Sequence, residues 1–304
     1  MAVALSLGSA ITLVQAQRPS FRAGVELVSL SVTVTGPAGR YITDLSTDDF
    51  TVIEDGRQQE LAFFSHASTA LAVSLLLDSS ASMEGQLPLA QKAASEFVAR
   101  LRPGDTAQIV DFDSRVQVLQ AFTGQRDALE RAVWSVQAGG STSLYNAIYI
   151  ALRQLETLPA PAGDQIRRRV VVVLSDGKDT SSLVGFDELL DIVKRSHVVI
   201  YPIGLGTTAP RSLQVRPDSD FELRRLAQET GGRLLVAKDA AGLSNVYSQV
   251  ADELTSQYVL GYFSSNTHRA DGWRSISVRV GRPNLQARTR TGYHFTSQAP
   301  PVDP

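Results

Sequence analysis

From Ala70 onward, short apolar runs alternate with segments of helical periodicity, and this rhythm is what most restricts the fold of the chain. Residues 72–77, 107–112, 170–174, 198–203 and 233–236 read as strands, with a short extra partner at 116–119. Between them, residues 87–101, 127–136, 144–158, 186–196, 222–230 and 243–255 carry apolar residues at helical spacing. Val170 to Leu174 is the most β-branched run in the chain and reads as a central parallel strand, buried on both faces. Strands joined through helices of this length predict an α/β fold: a doubly wound, mostly parallel sheet with helices on both faces.

The two ends have a different rhythm. Val25, Leu27, Leu30, Val32 and Val34 are spaced as an amphipathic strand, and residues 50–53 lead through Glu54-Asp55-Gly56 into a hairpin with 61–64 as its return. Beyond Gln257, residues 258–263, 275–280 and 285–291 again read as strands. Neither end has enough strands to be stable by itself, so the two are expected to pair into one small β-sandwich. The expected division is a leader at 1–17, N-terminal strands at 18–69, the α/β domain at 70–256, C-terminal strands at 257–296 and a tail at 297–304. The apolar leader ending Val14-Gln-Ala16 has the length of a signal peptide's core but no positive start, and it predicts export to the periplasm or the exterior.

Composition removes several function classes. The chain has 304 residues, no cysteine and a formal net charge of -2, so thiolate metal sites and cysteine nucleophiles are absent. No basic field is available for nucleic acid, and no polybasic stretch suggests lipid insertion. The longest cationic run, Arg167-Arg168-Arg169, precedes a strand and reads as a solvated edge or a positive flank to an apolar strand. The four histidines are scattered without metal-ligand spacing, and Trp134 and Trp273 read as packing residues.

The first strand of the α/β part ends in Asp78-Ser-Ser80-Ala-Ser82. One carboxylate and two hydroxyls thus fall at the carboxyl edge of the sheet, where open α/β sheets bind ligands. Hard oxygen donors with little charge suit a magnesium-type ion that keeps waters or an open position, although Asp78 and Ser80 read equally as caps of the next helix. Two more segments reach the same edge: the glycine-rich Gly139-Gly140-Ser-Thr142, and Ser175-Asp176-Gly177 after the central strand. Asp78, Ser80, Ser82, Thr142 and Asp176 together resemble the D-x-S-x-S, threonine, aspartate pattern of a von Willebrand factor type A domain with a metal-ion-dependent adhesion site. The resemblance spans about residues 70–255, and the flanks resemble those of exported bacterial proteins that wrap a β-sandwich around such a domain.

That resemblance implies a bound Mg2+ (or Mn2+ or Ca2+), with an open coordination position for a glutamate or aspartate carboxylate from a protein partner. It implies binding rather than catalysis. Tyr145, Lys178 and Asp113 are candidates for the rim of the ligand groove; Tyr145 reads alternatively as packing the helix start, Lys178 and Asp179 as rim charges, and Asp111 with Asp113 as a strand-end turn. Two other readings stand beside it: a structural module of an envelope complex, and a metal-dependent hydrolase. The second lacks support, because no nucleophile elbow or phosphate-binding glycine loop is present and Ser80 stands where a phosphatase of the haloacid dehalogenase type needs a second aspartate.

Overall fold

The computed structural model describes residues 27–66, 69–159, 166–176, 178–205, 217–266 and 271–296. The leader and the tail read from the sequence lie outside them. The N-terminal strands are β1 (Leu27–Thr35), β2 (Phe50–Glu54), β3 (Arg57–Gln59) and β4 (Leu61–His66). The central part contains β5 (Leu71–Asp78), α1 (Leu87–Ala99), β6 (Thr106–Phe112), β7 (Val116–Thr123), α2 (Arg126–Ser135) and α3 (Leu144–Glu156). It continues with β8 (Arg168–Ser175), α4 (Phe186–Arg195), β9 (Val198–Leu205), α5 (Pro217–Thr230), β10 (Leu235–Ala237) and α6 (Leu243–Ser256). Four strands follow: β11 (Tyr258–Phe263), β12 (Gly272–Val280), β13 (Gln286–Arg288) and β14 (Gly292–Phe295).

The central sheet has the order β10-β9-β8-β5-β6-β7, parallel throughout except for the edge strand β7. Every residue of β5 is buried, as expected of a parallel strand covered on both faces. The strand's period of two divides the core. Leu71, Val73, Leu75 and Leu77 pack under α1, α2 and α6, and Ala72 and Leu76 pack under α3, α4 and α5. Ser74, on the strand among these, is satisfied by Gln108 of β6 at 2.7 Å. Pro88 sits in the first turn of α1, where a missing N–H costs nothing.

The flanking strands build two four-stranded sheets, β13-β1-β11-β4 and β14-β12-β2-β3, each mixing strands from both ends of the chain. They share one core: Leu30 and Val32 of β1, Val52 of β2, Leu260 and Tyr262 of β11, and Ile276 of β12. The fold class read from the sequence is therefore the one observed, but two strand assignments are corrected. Asp55 and Gly56, at φ 47° and 79°, make a tight turn whose return strand is Arg57–Gln59. Leu61–His66 instead crosses to the other sheet and pairs with β11. Of the run 285–291 only Gln286–Arg288 is a strand, and after it the chain switches sheets, so that β14 begins at Gly292.

The tryptophans correct a third expectation: Trp134 is 54% and Trp273 41% exposed, so neither is a core residue. Trp273 lies instead under Lys194, whose ammonium is 5.6 Å from the ring centroid. Among the described residues no helix is long and apolar enough to cross a membrane.

Candidate metal site at the carboxyl edge of the sheet

β5 and β8 run parallel with Leu77 beside Leu174, so Asp78 and Ser175 emerge next to one another at the carboxyl edge. The chain after Asp78 turns at once. The Ser80 N–H donates to Asp78 Oδ1 at 2.9 Å, a local loop that aspartate side chains favour. The turn then continues as one short 3-10 turn, Ala81–Met83. This brings the Ser80 and Ser82 hydroxyl oxygens to 3.1 Å from each other, and Ser82 Oγ donates to Asp176 Oδ1 at 2.9 Å. Asp78 is fully buried, and Ser80 and Asp176 are nearly so, while Ser82 is exposed at the rim.

Backbone bonds lock the glycine-rich loop to the first loop: Gly139 N–H donates to Ser79 O at 2.6 Å and Ala81 N–H to Gly140 O at 3.1 Å. Gly140 has φ +72°, and a Cβ there would stand 2.8 Å from Asp113 Oδ2, so only glycine suits the position. Thr142 is buried and is held by the third loop, its carbonyl accepting from the N–H groups of Thr180 and Ser181 at 2.8 and 3.1 Å. Among the described residues its hydroxyl donates to none of the other four candidates. The five residues thus come from three loops pinned to one another, with Ser82 in direct contact with both Ser80 and Asp176.

The electrostatics follow from burial. Desolvation pushes the Asp78 carboxyl up to about 6, with Asp176 adding to the shift and hydrogen bonds from Ser175 and Ser80 opposing it. The Ser175 hydroxyl donates to Asp78 Oδ2 at 2.6 Å. Ser175 is not among the residues that the sequence pattern singles out. Its role is to orient the buried carboxylate, and only the β5–β8 register reveals it.

The donor set fits a small hard cation. Adjacent oxygens in an octahedral shell at ~2.1 Å from a magnesium-type ion lie ~3 Å apart, the separation that Ser80, Ser82 and Asp176 already hold. Two carboxylates with three hydroxyls are not a cluster of three or more acidic or histidine side chains, and none of that kind occurs among the described residues.

The expected rim residues are placed as follows. Asp113 Oδ1 accepts from the Arg115 N–H at 2.7 Å, the strand-end turn of the simpler reading, and its carbonyl accepts from Ser143 N–H at 2.8 Å. Tyr145 donates from its hydroxyl to Glu222 at 2.6 Å, and its ring lies 6.0 Å from Phe186, so it packs the start of α3 against α4 and α5. Lys178 is exposed. Asp179 caps α3, its carboxylate accepting from the Tyr145 N–H at 3.1 Å. The sequence offers no local sign of that cap, because the partners are distant along the chain.

Residues 73–178 match the model of the von Willebrand factor type A domain. A "UPF0353 protein" from Mycolicibacterium gilvum is 25% identical over 226 residues, 68% of this chain and 66% of the relative. The chain thus spans just under two thirds of the length of that relative. Among solved structures, the von Willebrand factor type A protein from Catenulispora acidiphila superposes with a TM-score of 0.52 at 12% identity, covering 92% of this chain and 76% of that one. Proximal thread matrix protein 1 from the mussel byssus, solved with a zinc-occupied MIDAS motif, reaches 0.50 at 16% identity over 66% of this chain and 49% of that one. The match covers the strands and loops that carry Asp78, Ser80, Ser82, Thr142 and Asp176, and the chain carries a von Willebrand factor type A domain.

Proposed function

We propose that the protein is a non-enzymatic binding module that holds a divalent cation at Asp78, Ser80, Ser82, Thr142 and Asp176 and uses it to capture a carboxylate of a protein partner. The observation that carries this reading is the spacing of the Ser80, Ser82 and Asp176 oxygens, 3.1 and 2.9 Å along the chain of contacts, which matches the edges of a small octahedral shell. Support for a metal in this type of fold comes from the mussel byssus protein, whose MIDAS motif holds zinc.

The ion, when bound, supplies a Lewis-acidic position for an incoming oxygen. Asp78 is buried, so its ionised form gains from a neighbouring cation what it loses by desolvation. With Asp78 and Asp176 the only carboxylates in the set, a divalent ion is not over-neutralised, and a glutamate or aspartate from a partner adds a strong charge-assisted contact in a partly dry site. Of the expected rim residues, the exposed Lys178 follows Asp176 by two positions and Asp113 lies against Gly140, while Tyr145 is taken up in packing α3 against α4 and α5. The leader-like start supports action outside the cytoplasm. Magnesium is the best match to the donor set, with manganese or calcium as substitutes.

Water-proton relaxation with Mn2+ tests the capture step. A protein-bound Mn2+ that keeps open positions raises the relaxation rate of water, and a glutamate-bearing peptide is expected to lower it saturably by displacing bound water. A peptide carrying glutamine in place of glutamate should have no effect. Equal effects of the two peptides would contradict carboxylate capture.

A further inference from the structure

A cleft of about 370 Å³ opens at the other end of the central sheet, where β1, the starts of β8 and β9, the end of α5 and the link between β13 and β14 meet. β8 spans the distance between the two sites: it begins at Arg168 in this cleft and ends at Ser175, beside Asp176, some eight residues and roughly 25 Å away. The cleft is lined by Arg167, Arg168, Arg169, Arg290, His197 and Thr289 among others, and among the described residues by no aspartate or glutamate. Among the described residues, no carboxylate lies within ion-pair distance of any of the four arginines.

Two of these guanidinium groups are buried, Arg168 at 4% and Arg290 at 8% exposure. Neutral acceptors hold them. Arg168 donates to Leu254 O at 2.6 Å, Thr69 O at 3.1 Å and Gln257 Oε1 at 3.3 Å. Arg290 donates to Gly292 O at 2.6 Å and Lys194 O at 3.1 Å, and meets His197 Nδ1 at 3.1 Å. These partners satisfy donors but do not cancel charge, and burial pushes both guanidinium groups down to about 10. Asp105 acts on Arg168 from a distance, yet its carboxylate is already engaged by the N–H groups of Leu71 and Arg102. The contact with Leu254 gives Arg168 a structural role at the end of α6. That role does not account for Arg167, Arg169 and Arg290 facing the same space.

Donors remain unused here. Arg167 Nε, Arg168 Nε and Thr289 Oγ1 are shielded from solvent and have no hydrogen-bond partner among the described residues. Converging, uncancelled guanidinium groups with spare donors are what planar or tetrahedral oxyanions need, because the guanidinium fork presents paired N–H groups to two oxygens at once. We propose that this cleft is a second binding site, independent of the metal position, which takes a phosphoryl or carboxylate group between Arg167, Arg169 and Arg290 with Thr289 as a further donor.

Calorimetric titration of the full chain with inorganic phosphate and, separately, with citrate at constant ionic strength tests this. Saturable binding of at least one probe is expected, weakened tenfold or more by the double variant Arg167→Gln/Arg169→Gln and severalfold by Thr289→Val, which keeps the side chain's shape. Asp78→Ala should bind the probe like the parent. Phosphate binding without citrate binding identifies a phosphoryl ligand, and the reverse identifies a carboxylate. No saturable heat from either probe, or parental affinity in the folded variants, would overturn the proposal. Thr289→Val keeps the test decisive should the double arginine variant not fold.

Discussion

At the scale of single residues, the site depends on positions that are small or buried for steric reasons. Gly140 is the clearest case: its φ of +72° and the 2.8 Å approach to Asp113 Oδ2 leave no room for a Cβ. Gly140→Ala should therefore destabilise the protein by about 1–3 kcal/mol and weaken divalent-ion binding, since the loop that places Thr142 must shift. Thermal denaturation with and without Mg2+ measures both effects, and an unchanged melting temperature would show that the loop adapts freely. The five candidate ligands were legible in the sequence because four of them follow recognisable strands, Thr142 follows a pair of glycines, and each residue type suits oxygen coordination. Ser175, Thr180 and Asp179 were not, since what they do depends on which strands and loops become neighbours in space. The tryptophans, expected to pack in the core or the sandwich, are both partly exposed, with Trp273 lying against Gly292 of the sandwich and Trp134 at the surface.

At the scale of elements, the junction between α6 and the sandwich is held by a buried acid. Glu253 of α6 is 1% exposed and accepts hydrogen bonds from Tyr201 of β9 at 2.7 Å and Arg233 at 2.8 Å, and pairs with Arg288 of β13. Tyr41 and Thr33 complete the set at 3.2 and 3.4 Å. Burial alone would raise its pKa, but Arg288, the Tyr201 hydroxyl and Arg233 outweigh it and hold the carboxyl below its ordinary 4.5. A depressed carboxyl stabilises the fold above the unfolded-state value and loses that contribution as pH falls through the folded one. Denaturant titrations from pH 7 downward should show stability falling below about 4.5, with the slope reduced in Glu253→Gln. That variant should also lose about 3–5 kcal/mol at pH 7, because Arg288 and Arg233 are left without their partner. A variant as stable as the parent would contradict the assignment. No sequence pattern marks Glu253, since on a helix its spacing is that of any partly apolar face. The run at 285–291 is similar: alternation reveals a strand there but not that it ends at Arg288, before the chain changes sheet.

At the scale of the whole molecule, the chain leaves one sandwich, builds the type A domain and returns to finish the same sandwich. β1 pairs with β11 and β2 with β12, so the two ends close around the domain. The rhythm of strands and helices made the central sheet legible, and the scarcity of strands at each end made their pairing legible. The order within the two outer sheets was not, because β3 and β4 follow each other without a turn signal that tells them apart. The Glu253 network and the shared strands predict one cooperative unfolding transition, so circular dichroism and tyrosine fluorescence should give coincident melting curves. Separate transitions would mean that the sandwich and the domain are energetically independent. The central claim is that the carboxyl edge of the sheet binds a divalent cation. Calorimetric titration of Mg2+ and Mn2+ into the metal-stripped chain, beside Asp78→Ala, tests it most directly. Saturable binding by the parent that disappears in the folded variant is the predicted result, and no binding by the parent, or equal binding by both, would contradict it.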